Sequence, residues 1–166
     1  MPNLTIQKAL EFAVKTEETG AKVYAELAER FSEVKETGEI FSQLAEDEKF
    51  HGDQFSNLLQ KFNSGSEKAI EGNTEFLLKA TSDPELMRSG FLKAEKELSP
   101  QDALIGALEF EKATLLNYQI LKDILSPSEL LDEIIKTEKS HIIALMKVII
   151  PEAKFRGLGD NAEEAG

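Results

Sequence analysis

Cysteine is absent from this chain of 166 residues, and histidine and tyrosine occur only twice each. Without a thiol there can be no disulfide, no thiol redox pair, no four-thiolate iron site and no iron–sulfur cluster within the chain. Any redox chemistry must therefore rest on oxygen and nitrogen ligands. Long apolar runs are missing too: no stretch approaches the roughly 18 residues that a membrane-spanning helix needs. The opening Met1-Pro2-Asn3 lacks the basic segment and apolar run of a signal peptide, so the sequence reads as cytoplasmic. Basic residues are scarce, with 19 Lys and Arg against 31 Asp and Glu and a formal charge of −12. That excludes the clustered basic surface of a nucleic-acid binder. It suits the attraction of cations, or simply a solvated helical surface. An apolar content of 41% and a charged content of 30% describe one soluble globular domain with a sizeable core.

What the chain has in place of these features is a repeat. Shifted by 94 positions, Leu10 pairs with Leu104, Ala13 with Ala107, Glu17 with Glu111, Tyr24 with Tyr118 and Leu27 with Leu121. Shifted by 90, Phe41 pairs with Leu131, Leu44 with Ile134, Glu48 with Glu138, His51 with His141 and Phe55 with Leu145. Both tyrosines and both histidines thus fall on equivalent positions. A helix pair occurs twice, with a connection four residues longer in the first copy.

Apolar residues recur at spacings of three and four over four segments, roughly 4–31, 38–62, 100–125 and 127–150, which predicts four core-facing helices. Ser99, Pro100 and Asp102, and again Ser126, Pro127 and Glu129, supply a cap, a first-turn proline and an acidic residue at the third helical position. Pro151 ends the last segment, and residues 154–166 read as a flexible tail beyond a single domain of residues 1–153. Between the hairpins, Asn63-Ser64-Gly65 and Ser82-Asp83-Pro84 break the pattern, with short helical patches expected between them. A connection this long can run the length of a bundle. The expected fold is all-α: two antiparallel helix hairpins joined by one long crossover.

Glu17, Glu48, Glu111 and Glu138 interrupt these apolar stripes at positions where their neighbours a turn away are Leu, Ile, Ala or Phe. An ionised carboxylate buried alone costs several kcal/mol. Four packed together would also repel one another. Two divalent cations balance the four negative charges and leave His51 and His141 as neutral ligands. The frames Glu48-x-x-His51 and Glu138-x-x-His141 put each glutamate on the same helical face as its histidine. Carboxylate and imidazole ligands without thiolate suit iron or manganese and can also take zinc. Six protein ligands shared by two ions favour iron or manganese over four-coordinate zinc. Tyr24 and Tyr118, two turns beyond Glu17 and Glu111, are candidates either to hold a ligand carboxylate or carry an electron or proton, or to fill the core. Asp47 and Glu18 point a third of a turn away and read as solvated surface.

The segments Ala13-Val14-Lys15-Thr16-Glu17 with Val23-Tyr24, Leu44-Ala45-Glu46-Asp47-Glu48-Lys49-Phe50-His51, Ala107-Leu108-Glu109-Phe110-Glu111 with Tyr118, and Thr137-Glu138-Lys139-Ser140-His141 resemble the rubrerythrin-like branch of the ferritin-like superfamily. The resemblance implies a ferritin-like four-helix bundle with two iron ions per chain. Glu48 and Glu138 would bridge the ions, Glu17 and Glu111 would be terminal ligands, and His51 and His141 would bind one ion each. It implies reduction of hydrogen peroxide or dioxygen with oxidation of Fe(II). The alternative is an iron-handling protein with slow ferroxidase chemistry. Three departures accompany the likeness. No cysteine is present to build a rubredoxin domain, so electrons would come from a separate rubredoxin or from Fe(II) itself. Thr114 stands where rubrerythrins carry a further glutamate, and Lys49 stands where a haem-ligating methionine would fall, so no haem is expected. The residues after Pro151 lack an amphipathic stretch for a ferritin shell. A homodimer is the expected assembly, with Phe12, Phe76 and Phe91 as candidate contacts or as residues packed under the crossover.

Overall fold

A computed structural model describes residues 4–62, 69–81, 98–125 and 127–150. A short strand β1 (Leu4–Thr5) leads into helix α1 (Ile6–Arg30), and a tight turn leads into α2 (Lys35–Phe62). Strand β2 (Ala69–Ile70) and helix α3 (Gly72–Thr81) lie in the crossover, followed by α4 (Pro100–Leu125) and α5 (Glu129–Ile149). The four long helices fall on the four segments expected from periodicity. They form a ferritin-like four-helix bundle of two hairpins, α1–α2 and α4–α5, as expected.

Differences from the sequence reading sit at the ends of elements, where capping decides. Residues 4 and 5 are extended rather than helical. Thr5 takes the extended conformation of a cap, and its hydroxyl accepts from the Lys8 amide at 3.3 Å. The freed pair joins β2 antiparallel, Leu4 opposite Ile70. This fastens the start of the crossover to the start of the bundle. Helix α2 begins three residues before the expected position, at Lys35. Gly38 lies in the first turn, where an added Cβ would lie 3.0 Å from the Phe31 carbonyl oxygen. Its role is close approach of the two helices across the turn.

Helix α4 starts as expected, with the Ser99 hydroxyl accepting from the Asp102 amide at 3.1 Å. Helix α5 does not. Ser128, rather than Ser126, caps it, accepting from Leu131 N at 3.3 Å, and the helix begins at Glu129. With this cap Glu129 and Asp132 both fall in the first turn, beside the positive end of the helix dipole. Ser126, both breaker triplets, Pro151, the 154–166 tail and Phe91 lie outside the described residues. Of the other phenylalanines considered as contacts, Phe12 is half-buried against the core and Phe76 is 71% exposed on α3. No described helix is long and apolar enough to cross a membrane.

The core divides into two apolar layers. One gathers Leu10, Ala13, Phe55, Tyr118, Leu121, Leu131 and Ile134, and is extended by Leu4, Ile70 and Leu78 from the crossover. The other gathers Tyr24, Leu27, Phe31, Phe41, Leu44, Leu104, Ala107, Phe110 and Leu145. Helix α3 is held on α4 by the Asn117 side chain, which donates to Thr81 Oγ1 at 2.7 Å and to the Leu78 carbonyl at 3.4 Å. Between the two layers the stripes of the long helices turn polar, and there the glutamates and histidines lie.

Candidate metal centre

Glu17, Glu48, Glu111 and Glu138 are each completely buried, and His51 and His141 are 2% and 4% exposed. Each of the four long helices contributes one glutamate, and α2 and α5 add a histidine one turn further on. The donor atoms form two overlapping groups, Glu17, Glu48, His51 and Glu138 in one, and Glu48, Glu111, Glu138 and His141 in the other. Within each group one atom per residue lies within 4.8 Å of all the others. Glu48 and Glu138 belong to both groups, one from each hairpin. The histidine rings lie 5.8 Å apart, one on each side.

The donor atoms do not satisfy one another. Glu17 Oε2 and both carboxylate oxygens of Glu48 and of Glu138 have no hydrogen-bond partner, although each is buried. His51 Nδ1 lies 2.9 Å from Glu138 Oε1 and 3.7 Å from Glu17 Oε2, yet neither pair is aligned as a hydrogen bond. His141 Nδ1 faces Glu111 Oε2 at 3.3 Å, Glu48 Oε1 at 3.5 Å and Glu138 Oε2 at 3.7 Å. Buried polar atoms normally find partners. Here they converge on shared points, an arrangement that fits cations rather than internal pairing. All are carboxylate oxygens or imidazole nitrogens, the set that suits iron or manganese.

Electrostatics point the same way. Burial pushes Glu48 well above its usual carboxylate range, and Glu17, Glu111 and Glu138 push it further. Burial, with Glu138 beside it, lifts Glu111 to about 8 although His141 pulls it down. Burial alone would lower both histidines. The carboxylates outweigh it, Glu138 and Glu17 lifting His51 to about 9, and Glu111 and Glu138 lifting His141 to about 11. Burial likewise opposes ionisation of Glu138, but His141 and His51 hold it down at about 2. Without metal, then, the cluster keeps protons where cations would otherwise supply positive charge.

The tyrosines lie in the apolar layers, one on each side, with their hydroxyls reaching the centre. A tyrosine two turns along a helix is about 10.5 Å from the glutamate on its own stripe, too far for its hydroxyl. Each reaches across to the other half instead. Tyr24 donates to Glu111 Oε1 at 2.5 Å, and Tyr118 donates to Glu17 Oε1. Burial and the neighbouring carboxylates hold both phenols well above their ordinary pKa, so they remain neutral donors.

Asp47 is a residue that the sequence reading placed on the surface. Its Oδ2 lies 3.2 Å from His141 Nε2, the ring nitrogen that faces away from the cluster. A carboxylate there accepts from Nε2–H and leaves Nδ1 facing the buried carboxylates. The one signal in the sequence was position: the residue before Glu48 lies a third of a turn round α2, toward the neighbouring α5. Glu18 is exposed, in keeping with a solvated residue.

Fold and site together define a ferritin-like helical bundle with a buried carboxylate–histidine cluster in two overlapping donor groups. The chain belongs to the rubrerythrin family, whose model matches residues 8–149. Among solved structures, it is similar to one described as a ferritin-like diiron-carboxylate protein from Thermotoga maritima. The two share 22% identity with a TM-score of 0.66, over 90% of this chain and 97% of that one. No curated protein sequence matches.

Proposed function

We propose that the protein is a diiron-carboxylate oxidoreductase that reduces hydrogen peroxide or dioxygen while oxidising Fe(II). The observation that carries this reading is the sharing of Glu48 and Glu138 between two four-residue donor groups. Two carboxylates common to both groups would hold the ions as an adjacent pair, able to deliver two electrons together. Bound there, two ferrous ions supply the two electrons that, with two protons, take hydrogen peroxide to two waters. Family membership and the diiron description of the Thermotoga maritima protein support the same assignment.

The chain's own residues set the conditions for that chemistry. Glu17 and Glu111 would each hold one ion, and the hydroxyls of Tyr118 and Tyr24 fix their orientation from the opposite half. The two apolar layers exclude bulk water from both ends of the centre. His51 and His141 would bind as neutral imidazoles, after giving up the protons they carry in the metal-free protein.

The test is to load the protein anaerobically with two Fe(II) per chain and follow oxidation by peroxide and by dioxygen. Rapid formation of a diferric centre that survives repeated cycles supports the oxidoreductase. Slow oxidation with release of ferric iron would replace it with an iron-handling role. No reaction with either oxidant would refute it.

A further inference from the structure

The repeat sets Thr114 opposite Gly20, each three residues after the terminal glutamate of its half. The two flanks of the centre differ sharply at this point. On the first, an added Cβ at Gly20 would lie 3.1 Å from Glu48 Oε2 and 3.2 Å from the Phe110 ring. The aromatic ring therefore packs beside one shared carboxylate. The repeat equivalents of Gly20, Phe110 and Glu48 are Thr114, Thr16 and Glu138, so two hydroxyl-bearing side chains replace a glycine and a ring.

Thr114 is completely buried, and its Oγ1 has no hydrogen-bond partner. Other hydroxyls on these helices show the local bond that Thr114 forgoes. Those of Thr19, Thr81, Thr137 and Ser140 each donate to the carbonyl four residues back, at 2.8, 2.8, 3.2 and 3.1 Å. None of those four is buried, so water could have served them. Thr114 cannot, and still does not make the local bond. Leaving a buried hydroxyl unpaired is destabilising. The side chain also lies one turn from Glu111 on the core-facing stripe of α4.

We propose that the Thr114 hydroxyl is the hydrogen-bond donor to the small oxygen-bearing ligand that the centre takes, on the flank opposite Phe110. The inference rests on the dimetal reading of the cluster and gives that centre a direction: packed by an aromatic ring on the Gly20 side, polar on the Thr114 side. A hydroxyl suits a peroxide or another small anion because it donates one hydrogen bond without adding charge to a site that already holds four carboxylates.

The test uses the protein loaded with Co(II), which reports ligand changes in its visible bands, and azide as the small anion. Wild type should take two Co(II) per chain and bind azide. Thr114→Val should weaken azide binding at least tenfold, as expected for loss of a hydrogen bond to a charged ligand. Thr114→Ser should stay within about threefold. The metal-free Thr114→Val protein should also be stabilised, its unfolding constant falling roughly fivefold, because valine removes an unpaired buried hydroxyl. Unchanged azide affinity in Thr114→Val, no azide binding by wild type, or a destabilised metal-free Thr114→Val would each overturn the inference. Failure of wild type to bind two Co(II) would instead remove the dimetal reading itself.

Discussion

Loading the centre with metal should expel about four protons per chain at pH 7. The count comes from four groups that the metal-free cluster keeps protonated. His51 and His141 titrate near 9 and 11, Glu111 near 8, and Glu48 well above its usual range. At pH 7 the two histidines and Glu111 are therefore about nine-tenths protonated or more, and burial with three neighbouring carboxylates raises Glu48 in the same direction. A carboxylate or imidazole must lose its proton to ligate, and four protons equal the charge of two divalent ions. Loading is then an electroneutral exchange, with no net charge added to a buried site. The combined apparent constant for both ions should rise by about four powers of ten per pH unit near neutrality, or roughly a hundredfold for each ion. Calorimetric titration with Co(II) in two buffers of different ionisation enthalpy measures the proton count directly. Release of fewer than about two protons would mean that the cluster is already ionised without metal. The argument from buried charge would then be wrong.

The metal-free protein should be most stable near pH 5. The histidines and Glu111 bind protons more tightly folded than unfolded, so their contribution is lost as pH rises past 4.5 for Glu111 and 6.5 for the histidines, through about 8, 9 and 11. Glu138 is depressed, so its contribution is lost as pH falls from 4.5 toward about 2. Urea midpoints at pH 5, 7 and 9 that rise with pH would contradict this. Asp47→Asn should weaken metal binding about tenfold to a hundredfold, seen in competition with a chelator, because His141 loses its carboxylate partner. Thr137→Ala, at the position equivalent to Asp47, should leave it unchanged. Tyr118→Phe should destabilise the metal-free protein by about 1–3 kcal/mol, because Glu17 loses its buried donor; an unchanged denaturant midpoint would show that the hydroxyl contributes nothing.

The four glutamates and two histidines could be read from sequence because each stands where an apolar residue would otherwise serve the core, and the repeat marked them twice. The long helices were legible for the same reason: roughly six to eight turns of periodic side chains leave little ambiguity. What escaped was short-range or contributed by the other half. Two residues of β1 carry no periodicity, and their partner Ala69–Ile70 is set by the path of the crossover. Ser126 and Ser128 are equally good caps in sequence, and only the folded chain chooses. Asp47 looked like surface because its partner His141 comes from the second hairpin, 94 residues on. The tyrosines were visible as candidates, but which carboxylate each would reach depends on how the hairpins cross.

That crossing has a consequence for how such a centre can be composed. Each hairpin carries one terminal glutamate, one Glu-x-x-His pair and one tyrosine, and the tyrosine serves the other hairpin's glutamate. A hairpin alone thus carries half of the carboxylate–histidine cluster, and two identical copies meeting about a twofold axis would complete it. Holding both halves in one chain lifts the requirement that they be alike. The chain uses that freedom at the centre, with Gly20 against Thr114 and Asp47 against Thr137. Two ions bound there would sit in chemically distinct seats, one beside a histidine backed by Asp47 and one beside a histidine with Thr137 at the equivalent position. Covalent linkage of two equal halves is what allows the pair to become unequal.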